Sequence, residues 1–323
     1  MFKNILITGG AGYIGAHIAE ILINDKKKVF LLDNLSTGHK KLINRKTKFF
    51  LSDIRKINKT REIVKKYKID SIIHLAAALS VGESQKKPKK YESINVEGTK
   101  KILEAIKTSN VRNFIFSSTC AVYQDGLSKV SESSKLKPSS VYGKTKLKGE
   151  KIIKNFCKKN KINYGILRYF NVAGASQSGK IGQINKGDQL FKNLSVELQK
   201  KKPIFKIYGG NYDTEDGTCI RDYIHVVDIA NIHLKVLKKI CKKKSIILNC
   251  GYSRGVSVNE VIESFKKNTK KKIKIKTIKK RKGDMAKIIS DTSKLKSFIK
   301  WKPKFNNLDM IVKSCINWEN KKN

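Results

Sequence analysis

Short hydrophobic runs recur along the first half of the chain, and small or polar residues follow each one. The runs lie at residues 4–7, 29–32, 49–51, 71–75, 114–116 and 166–167. Segments with apolar residues at helical spacing separate them, as at Ile14, Ile18 and Leu22. Strands that alternate with helices are typical of a parallel, doubly wound sheet. The pattern therefore predicts an α/β fold whose ligand lies beyond the carboxyl ends of the strands.

The first run leads directly into a glycine-rich turn, TGGAGYIG at residues 8–15, and then into a helical pattern. Gly10, Gly12 and Gly15 fit the GxGxxG fingerprint of dinucleotide-binding folds, and Gly9, Gly12 and Gly15 fit its short-chain-dehydrogenase variant. Glycines let the backbone approach a pyrophosphate at the helix N-terminus. A tight turn without a ligand would also explain the glycines, but the strand–turn–helix context favours a Rossmann domain.

The second run ends at Asp33 and Asn34, about 20 residues past the glycines, where such folds place an acid on the adenosine ribose. A carboxylate there accepts hydrogen bonds from the ribose and repels a 2′-phosphate. No arginine is adjacent in sequence, so the pattern predicts NAD rather than NADP. A helix or turn cap would explain a single Asp equally well, and the position after a second strand decides between the two.

Tyr142 and Lys146 lie four residues apart in the stretch SVYGKTK at residues 140–146. On a helix this spacing places both side chains on one face. An ammonium near a phenol favours the phenolate, so we expect the pKa of Tyr142 to fall toward neutrality. Such a tyrosine can take a proton from a sugar hydroxyl. In a lysine-rich chain the spacing alone is weak evidence, and the upstream dinucleotide motif strengthens it.

The charge is strongly unbalanced, with 71 Lys+Arg against 26 Asp+Glu and a formal net charge of +45. Such an excess suggests nucleic acid or an anionic membrane as a partner. The lysines are spread over the whole chain, however, and no basic run alternates with aromatic residues. We interpret them as solvated surface that also attracts a diphosphate substrate. Nucleic acid is the minority interpretation, and no membrane partner is expected.

The cysteines and the apolar segments indicate the cellular compartment. The six cysteines form no CxxC pair and show no metal-ligand spacing, so we expect no metal and a reducing environment. No basic N-terminal region precedes a long apolar run, and no apolar stretch reaches the length of a membrane span. These features predict a soluble, cytoplasmic protein.

Several further motifs occur in order along the chain: LLDN, DIR, HLAA, VGES, INVEGT, FSST, YGKTK, RYFN, DTEDGT, RDYIHV and RKGD. Together with the glycine turn they resemble the extended short-chain dehydrogenase/reductase family, and most of all its sugar-nucleotide 4-epimerases. The resemblance covers nearly the whole chain. The segment DTEDGT…RDYIHV is far more specific than the glycines.

The resemblance implies a role for each residue that matches a family motif. It makes Tyr142 the catalytic base, Lys146 its partner, and Thr119 the hydroxyl that bridges Tyr142 and the sugar. The implied cofactor-binding residues are Gly9, Gly12, Tyr13, Ile14, Gly15, Asp33, Asn34, Asp53, Ile54, Leu75, Ala76, Ala77, Asn95, Tyr142, Lys146 and Phe170. The implied substrate-binding residues are Thr119, Asn171, Gln189, Leu190, Tyr208, Arg221, Arg281, Asp284 and Ile288.

The implied reaction is NAD-dependent epimerisation at C4 of a UDP-hexose, either UDP-glucose/UDP-galactose or their N-acetyl forms, through a 4-keto sugar. NAD would stay tightly bound because it is unchanged overall. The expected architecture is an NAD-binding Rossmann domain over residues 1–170, with a return of about 222–240, and a smaller UDP-sugar lobe over residues 171–323. A homodimer is also implied.

Four positions depart from the family pattern. Leu79 replaces a lysine that contacts the cofactor, and Gln189 stands where Asn or His is usual. Gln124 and Ser253 replace glycines. These changes affect the affinity for NAD and the sugar specificity more than they affect the type of reaction.

Ile288 lies where the resemblance places the residue that walls the hexose pocket. A large tyrosine there would exclude an N-acetyl group, whereas Ile288 is intermediate in volume. A buried strand residue is an equally good interpretation of this position.

Four other functions stay open at this stage. A sugar-nucleotide 4,6-dehydratase needs an acid and a base after the threonine, where this chain has Cys120 and Ala121. A reductase, which usually uses NADPH, is disfavoured by Asp33. A 4-epimerase of a pentose or uronate also fits the motifs. A dinucleotide fold recruited to nucleic acid by charge could dispense with Tyr142 and Lys146, so their presence argues against it.

Overall fold

The computed structural model describes residues 2–185, 187, 189–242, 244–280 and 285–322, the side chain of residue 322 excepted. The chain forms two compact units, each built from several segments. The first unit comprises 2–122, Leu136–Tyr169 and Ala230–Leu248, and the second comprises Tyr123–Lys135, Phe170–Ile229 and 249–322. The segment that returns to the first unit is therefore 230–248, later along the chain than the expected 222–240.

The strands, in chain order, are β1 Asn4–Thr8, β2 Lys28–Asp33, β3 Lys48–Leu51, β4 Ser71–His74, β5 Asn113–Thr119, β6 Lys129–Val130, β7 Asn163–Tyr169, β8 Asn171–Ala173, β9 Ile204–Tyr208, β10 Ile220–Arg221, β11 Tyr223–His225, β12 Ile246–Cys250, β13 Val256–Ser257, β14 Lys274–Ile278 and β15 Lys287–Ser290.

The α-helices are α1 Tyr13–Asn24, α2 Ile57–Lys66, α3 Val81–Lys86, α4 Pro88–Tyr91, α5 Gly98–Ile106, α6 Val141–Lys159, α7 Leu190–Glu197, α8 Val226–Ile240, α9 Val258–Lys267, α10 Ser293–Ile299 and α11 Leu308–Lys322. A π-helical segment, Glu92–Glu97, joins α4 to α5. Short 3₁₀ turns lie at Lys40–Leu42 and Cys120–Val122.

A seven-stranded sheet has the order β12-β7-β5-β4-β1-β2-β3. The pairings from β7 to β3 are all parallel. This arrangement confirms the predicted doubly wound α/β fold. Thr8 is in register with His74 of β4, and Thr119 with Tyr169. The sheet therefore presents the last residues of its strands along one edge, as ligand-binding sheets of this class do.

The central strands β1, β4 and β5 of this sheet are buried because their continuous apolar runs have helices packed against them. Leu6, Ile72 and Phe114 are fully buried and share one cluster with Ile63 of α2 and Ile102 of α5. Helix α6 adds buried residues to the same cluster. The predicted runs became strands for this reason, while β12 escaped prediction because it is a short run that contains Asn249 and Cys250.

The second unit contains smaller sheets. A four-stranded sheet has the order β13-β10-β15-β6, and two parallel pairs are β11-β8 and β14-β9. The sequence analysis expected the stretch that begins at Tyr223 to return to the first domain. Instead, β11 pairs with β8 within the second unit.

Two further observations concern the earlier expectations about compartment. No helix in the described part of the chain is long and apolar enough to cross a membrane. No disulfide bond joins any of the six cysteines, all of which lie among the described residues.

The sheet core generates a stability prediction. Leu6 is fully buried in β1, whereas Leu51 in β3 is 63% exposed. We expect Leu6→Ala to lower the free energy of unfolding by about 2–5 kcal/mol, because it removes buried methyl groups and leaves a cavity. Leu51→Ala, the matched control, should change it by less than about 0.5 kcal/mol. Urea unfolding of both variants is the measurement, and equal losses would contradict this picture of the core.

Candidate active site

The glycine turn forms a closely packed cradle between β1 and α1. Gly9 has a φ of +72°, and a Cβ there would lie 2.7 Å from the backbone nitrogen of Ala76. A Cβ on Gly15 would lie 2.4 Å from the carbonyl oxygen of Gly9. Gly12 is the N-cap of α1 and brings no side chain to compete with an anion. The turn therefore fits the pyrophosphate of a dinucleotide at a helix N-terminus.

The predicted ribose-binding residues meet beside this cradle. Asp33, 7% exposed, accepts hydrogen bonds from the backbone N–H of Ala11 (3.1 Å) and of Leu35 (2.8 Å). Burial raises the pKa of the Asp33 carboxyl, and these N–H donors oppose the rise. Asn34 Nδ2 donates to Asp53 Oδ2 at 2.9 Å, which joins the ends of β2 and β3.

Arg55 also belongs to this group, and the sequence analysis missed it. Its guanidinium donates to Asp53 Oδ1 and Oδ2, each at 2.8 Å, and this pairing holds the pKa of Asp53 at about 2. The expectation that no arginine stands near Asp33 considered only sequence neighbours. In the structure Arg55 is engaged by Asp53 and by the hydroxyl of Ser93 (3.0 Å).

Asn95 clamps the loop that leaves β4. It lies in the π-helical segment, a distortion that often occurs at functional sites. Its Oδ1 accepts from the N–H of Ala78 (2.8 Å), and its Nδ2 donates to the carbonyl of Ala78 (3.1 Å) and to Thr145 Oγ1 (3.1 Å). Leu75, Ala76 and Ala77, the other predicted residues of this loop, are partly buried. Asn95 thereby ties the loop after β4 to helix α6.

A buried hydrogen-bond relay connects the glycine turn to Asn95. Thr99 Oγ1 donates to the carbonyl of Asn95 (2.7 Å), so His74 Nε2 must be the donor toward Thr99 (3.0 Å). His74 Nδ1 then accepts from Thr8 Oγ1 at 2.7 Å. Burial, followed by the charge of Lys146, lowers the pKa of His74 to about 3. The imidazole is therefore neutral and fixed in one tautomer.

Helix α6 begins with Tyr142 held close to the end of β5. Ser140 is the N-cap and accepts from the N–H of Gly143 (3.0 Å), while the N–H of Tyr142 donates to Ser84 Oγ (3.1 Å). A Cβ on Gly143 would lie 2.2 Å from the carbonyl oxygen of Ala121. Only glycine permits this approach, which brings Tyr142 to the segment that follows Thr119.

Thr119 and Tyr142 form a hydrogen-bonded pair. The hydroxyl of Thr119 accepts from the N–H of Ala121 (3.2 Å), and its hydrogen bond to Tyr142 favours the phenolate. Even so, burial raises the pKa of Tyr142 above its usual value, and the nearby Cys120 adds to the rise. The predicted fall was wrong because burial is the largest effect on the phenol and exceeds the opposing hydrogen bond from Thr119.

Lys146 is 2% exposed, and burial lowers its pKa to about 7, with the carboxylate of Glu150 opposing the change. Its Nζ lies 4.5 Å from the centre of the Phe116 ring, a cation–π contact. At neutral pH the amine is therefore poised between its charged and neutral forms. A buried lysine with a strongly lowered pKa is typical of functional sites.

Glu150, the acid one helical turn after Lys146, was not predicted from the sequence. Glu150 accepts from Arg168 Nε (2.9 Å), from Arg168 Nη2 (2.7 Å) and from Ser118 Oγ (2.5 Å). The spacing of Tyr142, Lys146 and Glu150 along α6 was a signal that could have identified it.

The predicted substrate residues lie in the second unit. Arg221 of β10 is in register with Ile288 of β15, which is only 1% exposed and so presents almost no surface to a ligand. Arg221 Nη1 donates to the carbonyls of Ile220 (2.9 Å) and Ala286 (3.3 Å). Tyr208 ends β9 and is 41% exposed.

The remaining predicted residues are placed as follows. Asn171 begins β8, and Gln189 is the N-cap of α7, which begins at Leu190. Phe170, expected at the cofactor, belongs to the second unit. Ile54 is buried, and Tyr13 and Ile14 are partly buried at the start of α1. Arg281 and Asp284 lie outside the described residues.

Comparison with known proteins agrees with this geometry. The model of the NAD dependent epimerase/dehydratase family matches residues 5–251. The UDP-glucose 4-epimerase of Lactobacillus helveticus is 39% identical over 97% of this chain and 96% of its own.

Two solved structures are similar over almost the whole chain. The UDP-glucose 4-epimerase of Bifidobacterium longum in complex with NAD⁺ and UDP has a TM-score of 0.92 and 32% identity, covering 99% of this chain and 98% of its own. The UDP-Glc/GlcNAc 4-epimerase of Campylobacter jejuni has a TM-score of 0.86 and 38% identity, covering 99% of each chain. These findings confirm the resemblance seen in the motifs. The chain belongs to the NAD dependent epimerase/dehydratase family.

Proposed function

We propose that this protein is an isomerase that epimerises a UDP-hexose at C4, in the manner of a UDP-glucose 4-epimerase, with UDP-glucose and UDP-galactose as its substrate pair. The observation that carries the proposal is the cluster of Thr119, Tyr142 and Lys146 in the same unit as the dinucleotide cradle. The Lactobacillus helveticus and Bifidobacterium longum proteins named above support the same reaction. Both are UDP-glucose 4-epimerases, and both match this chain over nearly their full length.

The residues of the first unit fit NAD. Gly9, Gly12 and Gly15 would take its pyrophosphate, while Asp33 and the adjoining Asn34 would take its adenosine ribose. When bound, NAD supplies the hydride acceptor and donor for C4 of the sugar. The clamp that Asn95 forms on the loop after β4 would keep one face of the cofactor site rigid.

The residues of the chain handle the proton. Tyr142 would remove the proton from the 4-hydroxyl and return it after the 4-keto sugar has rotated. Thr119 donates its hydrogen bond to Tyr142 and so stabilises the phenolate as it forms. Lys146, half protonated near neutral pH, stabilises the same charge when it carries its proton. This division of labour is general acid–base catalysis by a tuned tyrosine.

The proposal assigns the UDP moiety to the second unit. Arg221 and Arg281 would bind the pyrophosphate, since a guanidinium binds its oxygens in pairs. Asp284 would take the uridine ribose hydroxyls, and Tyr208, exposed at the end of β9, would contact the UDP moiety. Asn171, Gln189 and Leu190 complete the proposed set. N-acetyl sugars belong in the same substrate panel because the Campylobacter jejuni relative is named for both sugars.

A 4,6-dehydratase is the alternative that the site argues against. Its elimination step needs an acid and a base directly after the threonine, and here Cys120 and Ala121 form a 3₁₀ turn at that place. The N–H of Ala121 is used to orient Thr119. Neither side chain can perform the elimination.

Two features of the wider protein complete the proposal. A homodimer formed through helices of the first unit rests on the family resemblance. A cytoplasmic location is supported by six cysteines that form no disulfide with one another.

Removal of the proposed base generates the central test. Tyr142→Phe should keep the fold and the bound NAD but lower kcat by about 10²-fold or more, because the general base is gone. Tyr164→Phe, which removes a hydroxyl from β7 outside the cluster, is the matched control and should stay near wild type. The assay incubates each purified variant with a panel of UDP-sugars and no added cofactor. Turnover of Tyr142→Phe at the wild-type rate would refute the assignment.

The cofactor preference generates a separate prediction. Since Asp33 would repel a 2′-phosphate, wild-type protein should bind NAD and discriminate against NADP. Asp33→Asn keeps the shape but removes the charge, and we expect it to narrow the NAD/NADP affinity ratio by about tenfold, the scale of one charged hydrogen bond. Calorimetric titration with both dinucleotides measures the ratio. An unchanged ratio would show that discrimination arises elsewhere, with Arg55 as the next residue to vary.

A further inference from the structure

We propose that Glu150, paired with Arg168, is a positioning residue that increases the fraction of buried Lys146 that carries its proton. The inference rests on the proposed function, in which Lys146 must carry its proton to stabilise the phenolate of Tyr142. It adds to that function an electrostatic support that lies behind the Tyr142–Lys146 pair.

The geometry places the three side chains in a ladder. Tyr142, Lys146 and Glu150 succeed one another at four-residue intervals on α6, so they share one face of the helix. Glu150 and Lys146 are each 2% exposed. A carboxylate one turn away and shielded from water acts on an ammonium more strongly than the same pair would at the surface.

Arg168 fixes the charge and the orientation of Glu150. Its guanidinium, 1% exposed on β7, binds both carboxylate oxygens, and Ser118 of β5 donates to one of them. Because arginine stays protonated in proteins, Glu150 is held as a carboxylate. The pair of Glu150 and Arg168 is neutral as a whole, so protonation of Lys146 adds one net charge to the buried group.

The other groups around Lys146 do little to stabilise its ammonium form. His74 on β4 is neutral, and the Phe116 ring contributes only a cation–π contact. Tyr142 carries its proton in the resting protein, since burial raises its pKa. The hydroxyl of Tyr91 donates a hydrogen bond to Glu83, and Glu92 forms an ion pair with Lys148. Burial lowers the pKa of Lys146, and Glu150 is the group that opposes the change.

The experiment compares the pH dependence of kcat/KM in wild type and Glu150→Gln. The substitution keeps the shape but removes the carboxylate, and it leaves Arg168 as an added repulsive charge. Lys146 should lose its proton at lower pH, so the alkaline limb of the profile should move down by about 1–3 pH units. Glu150→Asp restores the charge and should restore most of the shift. An alkaline limb that stays in place in Glu150→Gln overturns the proposal.

A double variant covers the case in which Glu150→Gln fails to fold. Glu150→Gln with Arg168→Met removes both charges, so neither member of this pair is left as a buried ion without its partner. It should still show the alkaline limb below the wild-type position, because the carboxylate is absent. If the pair were only structural, the double variant would recover the wild-type profile, and the proposal would fail.

Lys192 and Glu319 provide a matched control for the loss of a buried ion pair. They form such a pair within the second unit, with 2% and 5% of their side chains exposed. Glu319→Gln breaks it without touching Lys146, so it should lower thermal stability and leave the alkaline limb in place. A limb that moved equally in Glu319→Gln would show that the shift reports general destabilisation, which also overturns the proposal.

A second readout separates this proposal from the proposed function. The ¹⁵N NMR signal of the Lys146 side chain, identified as the signal lost in Lys146→Met, reports its protonation directly and needs no turnover. In Glu150→Gln this signal should titrate at lower pH than in wild type. Wild-type protein that epimerises no UDP-sugar would refute the function, whereas coincident Lys146 titrations would refute the role of Glu150 alone.

Discussion

The burial of one lysine is the constraint on which the rest of the site depends. Lys146 is almost fully removed from water, and an ammonium in that position is unstable unless its neighbours compensate. The sheet presents Phe116 to it, α6 adds the carboxylate of Glu150, and the nearby imidazole of His74 stays neutral. The result is an amine whose pKa of about 7 lies at the working pH of a cell.

Hydrogen-bond satisfaction links this lysine to the cofactor cradle. Buried polar groups are costly without partners, so each member of the relay from Thr8 through His74 and Thr99 to Asn95 has a defined donor and acceptor. Asn95 then bonds to Thr145 on α6. This relay therefore connects the glycine turn to the helix that carries Tyr142 within one unit.

The large positive charge has little part in this machinery. Several ion pairs in the described part of the chain join exposed lysines to exposed glutamates, and such pairs contribute roughly 0–1 kcal/mol each. Arg168–Glu150 and Lys192–Glu319 are instead buried, one in each unit. The sequence interpretation of the lysines as solvated surface matches this distribution. The electrostatics of catalysis depend on a few buried charges whose partners hold them in place.

The sequence by itself determined the strand–turn–helix units, the cradle of glycines and the Tyr142–Lys146 pair, because each of these depends on residues close together in the chain. The parallel sheet followed from the alternation of elements. Only the tertiary structure decided that Arg168 grips Glu150, that Arg55 reaches Asp53, and that β12 returns to the sheet. It also reversed the expected direction for the pKa of Tyr142. Burial and long-range pairing set these properties, and neither can be read from local spacing.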